Sequence, residues 1–225
     1  MTAHFVHLLD QLHRRSLRMA SLVEDIVEEA CEAALDTDKK LARRVIKRDE
    51  EVDSEEVDIE AETVRLMALY QPVGGDLRLL CTVLKVNNDL ERIADCAVNI
   101  AERAKHLDRP TMEGHAGIIG QMATLVRRML RTAVQAYGTR NGEGGINVFS
   151  QDDAVDALYG QMIIGVVDGA PGRPDLMAGY LDVLSIAKNL ERIADHASNI
   201  GEDVVFLETG QIVRHRDDQS KADES

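Results

Sequence analysis

One acidic motif occurs twice in this sequence, at a separation of one hundred positions. The segment LERIAD spans 90–95 and again 190–195, so each copy places a glutamate four residues before an aspartate. In an α-helix these positions share one face, where like charges repel by roughly 0.2–0.5 kcal/mol per pair. A bound cation would turn this cost into a gain. The motif therefore indicates a candidate metal-binding face.

Other carboxylate and amide residues extend this face in both halves of the chain. The residues in line with the two motifs are Glu91, Asp95, Asn99 and Glu102, and Glu191, Asp195, Asn199 and Glu202. An earlier segment of each half adds Asp49, Asp53, Glu56 and Glu60, and Asp152, Asp153 and Asp156. Oxygen ligands of this kind admit Fe, Mn, Mg, Ca or Zn. Solvated surface acids paired with Arg92 and Arg192 are the alternative interpretation.

The elements that must position these residues are predicted to be helices. Aromatic residues form only 3% of the chain, and Pro occurs 4 times. Apolar residues recur every seventh position, in one column at Val83, Leu90, Ala97 and Ala104 and in a second at Val183, Leu190, Ala197 and Val204. The same buried seam in both halves indicates a duplicated helical unit.

Proline and glycine clusters divide the chain into six predicted helices. These helices are expected at about 3–34, 38–70, 75–107, 111–138, 150–168 and 174–208. The segments TRNGEGGINVFS and DGAPGRP are predicted loops. Short connections between amphipathic helices favour antiparallel bundles. We therefore predict an all-α protein of two tandem antiparallel three-helix bundles, at 1–108 and 109–215, with a disordered polar tail at 216–225.

Composition excludes several classes of function. The net charge of −14 disfavours nucleic-acid binding. The 3 cysteines show no C-x-x-C spacing, so we expect reduced thiols and a cytoplasmic protein. No apolar stretch approaches the ~20 residues that span a bilayer, and no residue stands in a recognisable nucleophile motif. The sequence therefore favours a non-enzymatic protein.

Several motifs together resemble the PhoU family, the regulators of bacterial phosphate uptake. They are QPVGGDLR at 71–78, LERIADCAVNIAE at 90–102, LERIADHASNIGE at 190–202, VDSEEVDIE at 52–60 and VVFLETGQIVRH at 204–215. The resemblance covers nearly the whole chain. It implies two three-helix bundles and a homodimer.

The resemblance also implies multinuclear iron or zinc clusters on the surface. Carried onto this sequence, its ligand positions are Asp49, Asp53, Glu91 and Asp95 in the first half and Asp152, Asp156, Glu191 and Asp195 in the second. Glu56, Asn99, Glu102, Asn199 and Glu202 are possible additional ligands. Lys188 stands where the first half has Asn88, so the second cluster is expected to hold fewer ions or a different set.

The function implied by the resemblance is that of an adaptor. Such a protein contacts the ATPase subunit of the phosphate transporter and the phosphate sensor histidine kinase, which it holds in its signalling-off state when phosphate is plentiful. It meets the membrane only indirectly, through these partners. A metal-storage protein and a metal-free helical scaffold remain the alternatives. Storage predicts readily exchangeable metal, whereas a scaffold predicts no stoichiometric metal.

Overall fold

The computed structural model describes residues 3–169 and 174–213, and its regular structure in these ranges is entirely helical. The α-helices are α1 (Ala3–Leu35), α2 (Lys39–Tyr70), α3 (Gly74–Ala104), α4 (Arg109–Thr139), α5 (Gly142–Phe149), α6 (Asp152–Gly169) and α7 (Met177–Thr209). A 3₁₀ turn at Pro174–Leu176 leads into α7. The predicted all-α class is confirmed. The predicted tail at 216–225 lies outside the described residues.

Side chains at the helix ends explain where α2 and α4 begin. The carboxylate of Asp38 accepts hydrogen bonds from the backbone N–H groups of Lys40 and Leu41, at 2.8 and 3.0 Å. Asp108 caps α4 in the same way through the N–H of Thr111, and Pro110 occupies the first turn. These contacts satisfy backbone donors that have no partner within the helix. Both boundaries therefore follow from local sequence.

The repeated apolar seam forms the core of both bundles. Helices α1, α2 and α3 pack on one another, as do α4, α6 and α7. All eight residues of the two predicted columns, at 83, 90, 97 and 104 and at 183, 190, 197 and 204, are fully buried. Helices α3 and α7 also pack against each other, so the core is continuous between the halves. The boundary between 108 and 109 stays a prediction.

The predicted loop at 139–150 is wrong, because most of it forms the short helix α5. The side-chain oxygen of Asn141 caps this helix through the N–H of Gly144, at 3.2 Å. Glycine has a low helix propensity, but here it permits close packing on α7. A methyl group on Gly145 would lie 2.4 Å from the carbonyl oxygen of Gly201. Tertiary contact therefore overrides the local preference for a loop.

Replacement of Gly201 by alanine is expected to lower the free energy of unfolding by about 1–3 kcal/mol, as overpacking does in other cores. The added methyl group would lie 2.7 Å from the carbonyl oxygen of Gly145, an atom of the backbone that has little freedom to move. Urea unfolding measures the change. The control is Gly117→Ala in α4, where a methyl group meets nothing within 4 Å and should stabilise by about 0.4–1 kcal/mol. Equal effects of the two substitutions would contradict the close packing of α5 on α7.

Polar contacts join the two halves at the packed helices. His196 Nδ1 of α7 lies 2.8 Å from Asp89 Oδ1 of α3. Further along the same pair of helices, the ammonium group of Lys85 lies 2.8 Å from Oδ1 of Asp203, whose side chain is only 2% exposed. Buried polar groups have defined partners. These pairs therefore help to fix the register of α3 against α7.

Candidate metal centres

The first acidic cluster lies between α2 and α3. Burial raises the pKa of Asp49, and the neighbouring charges of Asp53 on α2 and Asp95 on α3 raise it further. A carboxylate whose charge raises the pKa of another lies close enough for the two charges to repel. The structure therefore brings Asp95 close to Asp49, which precedes it by 46 positions in the sequence.

Glu91 and Glu56 belong to the same cluster. Burial raises the pKa of Glu91, and the charges of Asp95, Glu56 and Asp53 add to the shift, while Arg92 opposes it. The pKa of Glu56 is raised by burial and then by Glu60 and Asp53. Arg92 lies at the edge, with side-chain nitrogens 3.3 Å from Glu91 and 3.4 Å from Asp95. The half-exposed guanidinium group of Arg92 thus lies beside an acidic surface formed by α2 and α3.

The second acidic cluster lies at the equivalent place between α6 and α7. Burial, followed by the charges of Asp195, Asp156, Asp153 and Glu191, raises the pKa of Asp152 to about 6. Burial and then Glu191 also raise the pKa values of Asp156 and Asp195. All four principal ligand positions of the second half therefore lie in one electrostatic cluster.

Two buried oxygen atoms of this second cluster have no hydrogen-bond partner among the described residues. They are Oδ1 of Asp152 and Oε2 of Glu191, one from each helix. The other carboxylate oxygen of Glu191 accepts a hydrogen bond from Lys188 at 2.6 Å. An unpaired buried carboxylate oxygen is costly. Unpaired carboxylate oxygens from α6 and α7 are donors of the kind that suits a hard or borderline metal ion.

The carboxylates would have to rotate to coordinate one ion together. Within 3–169 and 174–213, no three His, Cys, Asp or Glu side chains already stand in the arrangement of a metal site. The torsions of exposed Asp and Glu side chains change without moving the backbone. The structure thus provides adjacent carboxylates on rigid helices rather than a preformed coordination shell.

Four of the five additional candidate ligands lie further along α3 and α7 than the two LERIAD motifs. Asn99 and Glu102 are exposed on α3. Asn199 turns toward the other half, because its side-chain amide lies 3.4 Å from Asp89 Oδ1. Glu202 is partly buried on α7. The assignment of these four residues as ligands stays a prediction.

Sequence reasoning did not identify the partners of the basic and aromatic side chains near the second cluster. The ammonium group of Lys188 lies 5.3 Å from the ring centroid of Tyr159 as well as beside Glu191. Stacking of this kind holds a cation in place. The sequence spacing of Tyr159 and Lys188 does not predict this contact, because the two residues belong to different helices, α6 and α7.

The raised pKa of Asp152 predicts a pH-dependent gain in stability for Asp152→Asn. The folded pKa of about 6 lies above the ordinary value of about 3.9, so this group's stabilisation is present below the lower value and is lost as pH rises through the higher. In chelator-treated protein at about pH 7.5, the asparagine variant should be more stable by on the order of 1 kcal/mol, after discounting for solvent screening.

Urea unfolding at about pH 7.5 and about pH 4.5 measures this difference, which should shrink at the lower pH. Asp168→Asn is the matched control, because it removes an exposed aspartate of the same helix outside the cluster. A gain that is equal at both pH values, or equal in the control, would contradict the repulsion between these carboxylates.

Fold and site together define a class of all-α proteins in which a duplicated helical bundle carries matching acidic clusters. The chain belongs to the PhoU family, because it matches the PhoU domain over residues 16–104 and 119–204. Within the described ranges, no helix is long and apolar enough to cross a bilayer.

Curated relatives and solved structures cover most of the chain. A protein of Aquifex aeolicus, named phosphate-specific transport system accessory protein PhoU homolog, is 35% identical over 96% of this chain and 97% of its own length. A protein of the same name from Clostridium acetobutylicum is 33% identical over 91% and 94%. The crystal structure of PhoU from Pseudomonas aeruginosa superposes with a TM-score of 0.87 at 31% identity, covering 92% of this chain and 100% of that one.

Proposed function

We propose that this protein is a cytoplasmic regulator of phosphate uptake and of the phosphate-starvation two-component response. It acts as an adaptor, and as a homodimer, between the ATPase subunit of the phosphate transporter and the phosphate sensor histidine kinase. Membership of the PhoU family supports this role, as do relatives named accessory proteins of the phosphate-specific transport system. The duplicated rigid bundle suits an adaptor, because it offers two related surfaces to two partners.

We further propose that the acidic clusters hold iron or zinc. The ligands would be Asp49, Asp53, Glu91 and Asp95 in the first half and Asp152, Asp156, Glu191 and Asp195 in the second. The observation that carries this proposal is the placement of carboxylates at equivalent positions of both halves, where the pKa values of Asp49 and Asp152 are raised, with unpaired buried oxygens in the second half. A bound cation would supply positive charge that offsets this repulsion and ties neighbouring helices together.

A test in cells distinguishes the adaptor from a storage protein. In a bacterium that lacks its own family member, this chain should restore repression of a phosphate-starvation reporter at high phosphate. In pull-downs, the purified chain should bind the purified transporter ATPase and the cytoplasmic part of the kinase. Binding of neither protein and an unchanged reporter, together with readily exchangeable metal, would reject the adaptor in favour of storage.

A further inference from the structure

A stripe of exposed apolar side chains runs along the outward face of α2. Val57 is 61% exposed and Val64 is 52% exposed, and they stand seven residues apart. Ala61 lies between them on the same face and Ala68 continues the line, and both are exposed. This face is opposite the buried seam that contains Val52, Ile59 and Leu66. Helix α2 therefore carries a second heptad pattern that the described fold leaves uncovered.

Helix α6 repeats part of this stripe in the second half, with Gly160 at the position of Val57. If Asp152 and Asp156 are matched to Asp49 and Asp53, Ala61 and Val64 correspond to Ile164 and Val167. The latter two side chains are 62% and 61% exposed. Contiguous exposed apolar surface marks interaction sites in soluble proteins. Exposed apolar side chains at equivalent positions of both bundles therefore indicate a common binding role.

The charge around the α2 stripe selects the kind of partner. No Lys or Arg occurs between positions 49 and 64, and Arg65, near the end of the stripe, is paired with Glu62 at 2.6 Å. Exposed acids border the stripe, among them Glu50, Asp53 and Glu60. A second copy docked through the acidic part of α2 would place these carboxylates against their equivalents. An occupant with basic flanks removes this repulsion and adds complementary charge.

We propose that the outward faces of α2 and α6 each dock an amphipathic helix of a partner protein whose apolar edge is flanked by Lys and Arg. Helix-in-groove and helix-on-helix recognition uses anchors spaced by three, four and seven residues, as the spacing of Val57, Ala61 and Val64 provides. The valines bind the apolar edge, and the acids orient the helix. The stripe lies beside the first acidic cluster, to which Asp53 also belongs.

A synthetic three-heptad helix with leucine at its apolar positions and lysine at its flanks is the probe. Its affinity for the full chain is measured by fluorescence anisotropy in the presence of chelator, beside a peptide in which glutamate replaces lysine. The double substitution Val57→Ser, Val64→Ser should weaken binding of the lysine peptide to the α2 face. The double substitution Ile164→Ser, Val167→Ser should weaken its binding to the α6 face. Combining all four should raise the Kd at least about tenfold.

Val6→Ser is the control, because Val6 is 55% exposed on α1 outside both stripes. It should leave the Kd unchanged, and the glutamate peptide should bind far more weakly than the lysine peptide. Equal binding of both peptides, or a Kd that the four serine substitutions leave unchanged, would overturn the proposal. If sedimentation shows that these substitutions convert a dimer to a monomer, the stripes are interfaces between copies and the proposal is also wrong.

Discussion

Lys85→Met is expected to lower the free energy of unfolding by about 2 kcal/mol, because Asp203 is buried while the 39% exposure of Lys85 weakens the pair through solvent screening. The substitution leaves the carboxylate of Asp203, 2% exposed on α7, without the ammonium group that lies 2.8 Å away. Lys85 also lies over the ring of Phe206, with its nitrogen 5.0 Å from the centroid. Methionine retains much of the apolar stem, so the measured loss in urea unfolding reports mainly on charge.

Two comparisons separate this charge effect from general disturbance of the α3–α7 interface. Arg103→Met breaks a looser pair, in which the guanidinium lies 3.5 Å from Asp182 and is half exposed, and should cost under about 1 kcal/mol. Combining Lys85→Met with Asp203→Asn should recover part of the loss, because the carboxylate charge that Lys85 balances is then absent. If the double variant is less stable than Lys85→Met alone, the pair does not contribute as described.

The helices were predictable from sequence because their apolar seams repeat over many turns. Val83 and Leu90 belong to a column long enough to fix both the helix and its buried face. Helix α5 was not predictable, because its glycines are poor helix formers. Their helical conformation is explained only by their packing against α7. Local pattern therefore predicts the long helices, whereas the short one depends on a neighbour that is distant in sequence.

The acidic clusters were only partly predictable. The spacing predicted that Glu91 and Asp95 share one helix face. It did not predict how close the acids of α2 lie to that face. The outward stripe was also hidden, because Val57 and Val64 repeat at the same interval as the buried Val52 and Ile59. Sequence period alone does not say which of two apolar columns is covered, since that depends on how the other helices pack.

Asp95→Asn combined with Asp195→Asn is expected to remove the stoichiometric metal of this protein. Each asparagine takes the place of a carboxylate that raises a neighbour's pKa, that of Asp49 in the first cluster and that of Asp152 in the second. An amide binds hard cations more weakly than a carboxylate does. The fold should persist, because neither side chain is buried and removal of like charge relieves repulsion.

The control for this variant changes the net charge equally. Asp25→Asn with Asp168→Asn alters two exposed aspartates outside both clusters and should leave metal binding intact. The single variants Asp95→Asn and Asp195→Asn should each lose only the metal of their own half. A smaller loss for Asp195→Asn would agree with the position of Lys188, which already donates a hydrogen bond to Glu191.

The most direct test of the proposed clusters is the metal content per chain of protein purified anaerobically, without chelator or nickel affinity resin, measured by inductively coupled plasma mass spectrometry. We expect stoichiometric iron or zinc in the parent and in the Asp25→Asn, Asp168→Asn control, and a clear loss in Asp95→Asn, Asp195→Asn. Equally empty preparations of all three, or equal metal in all three, would contradict the assignment of the repeated acidic faces as metal centres.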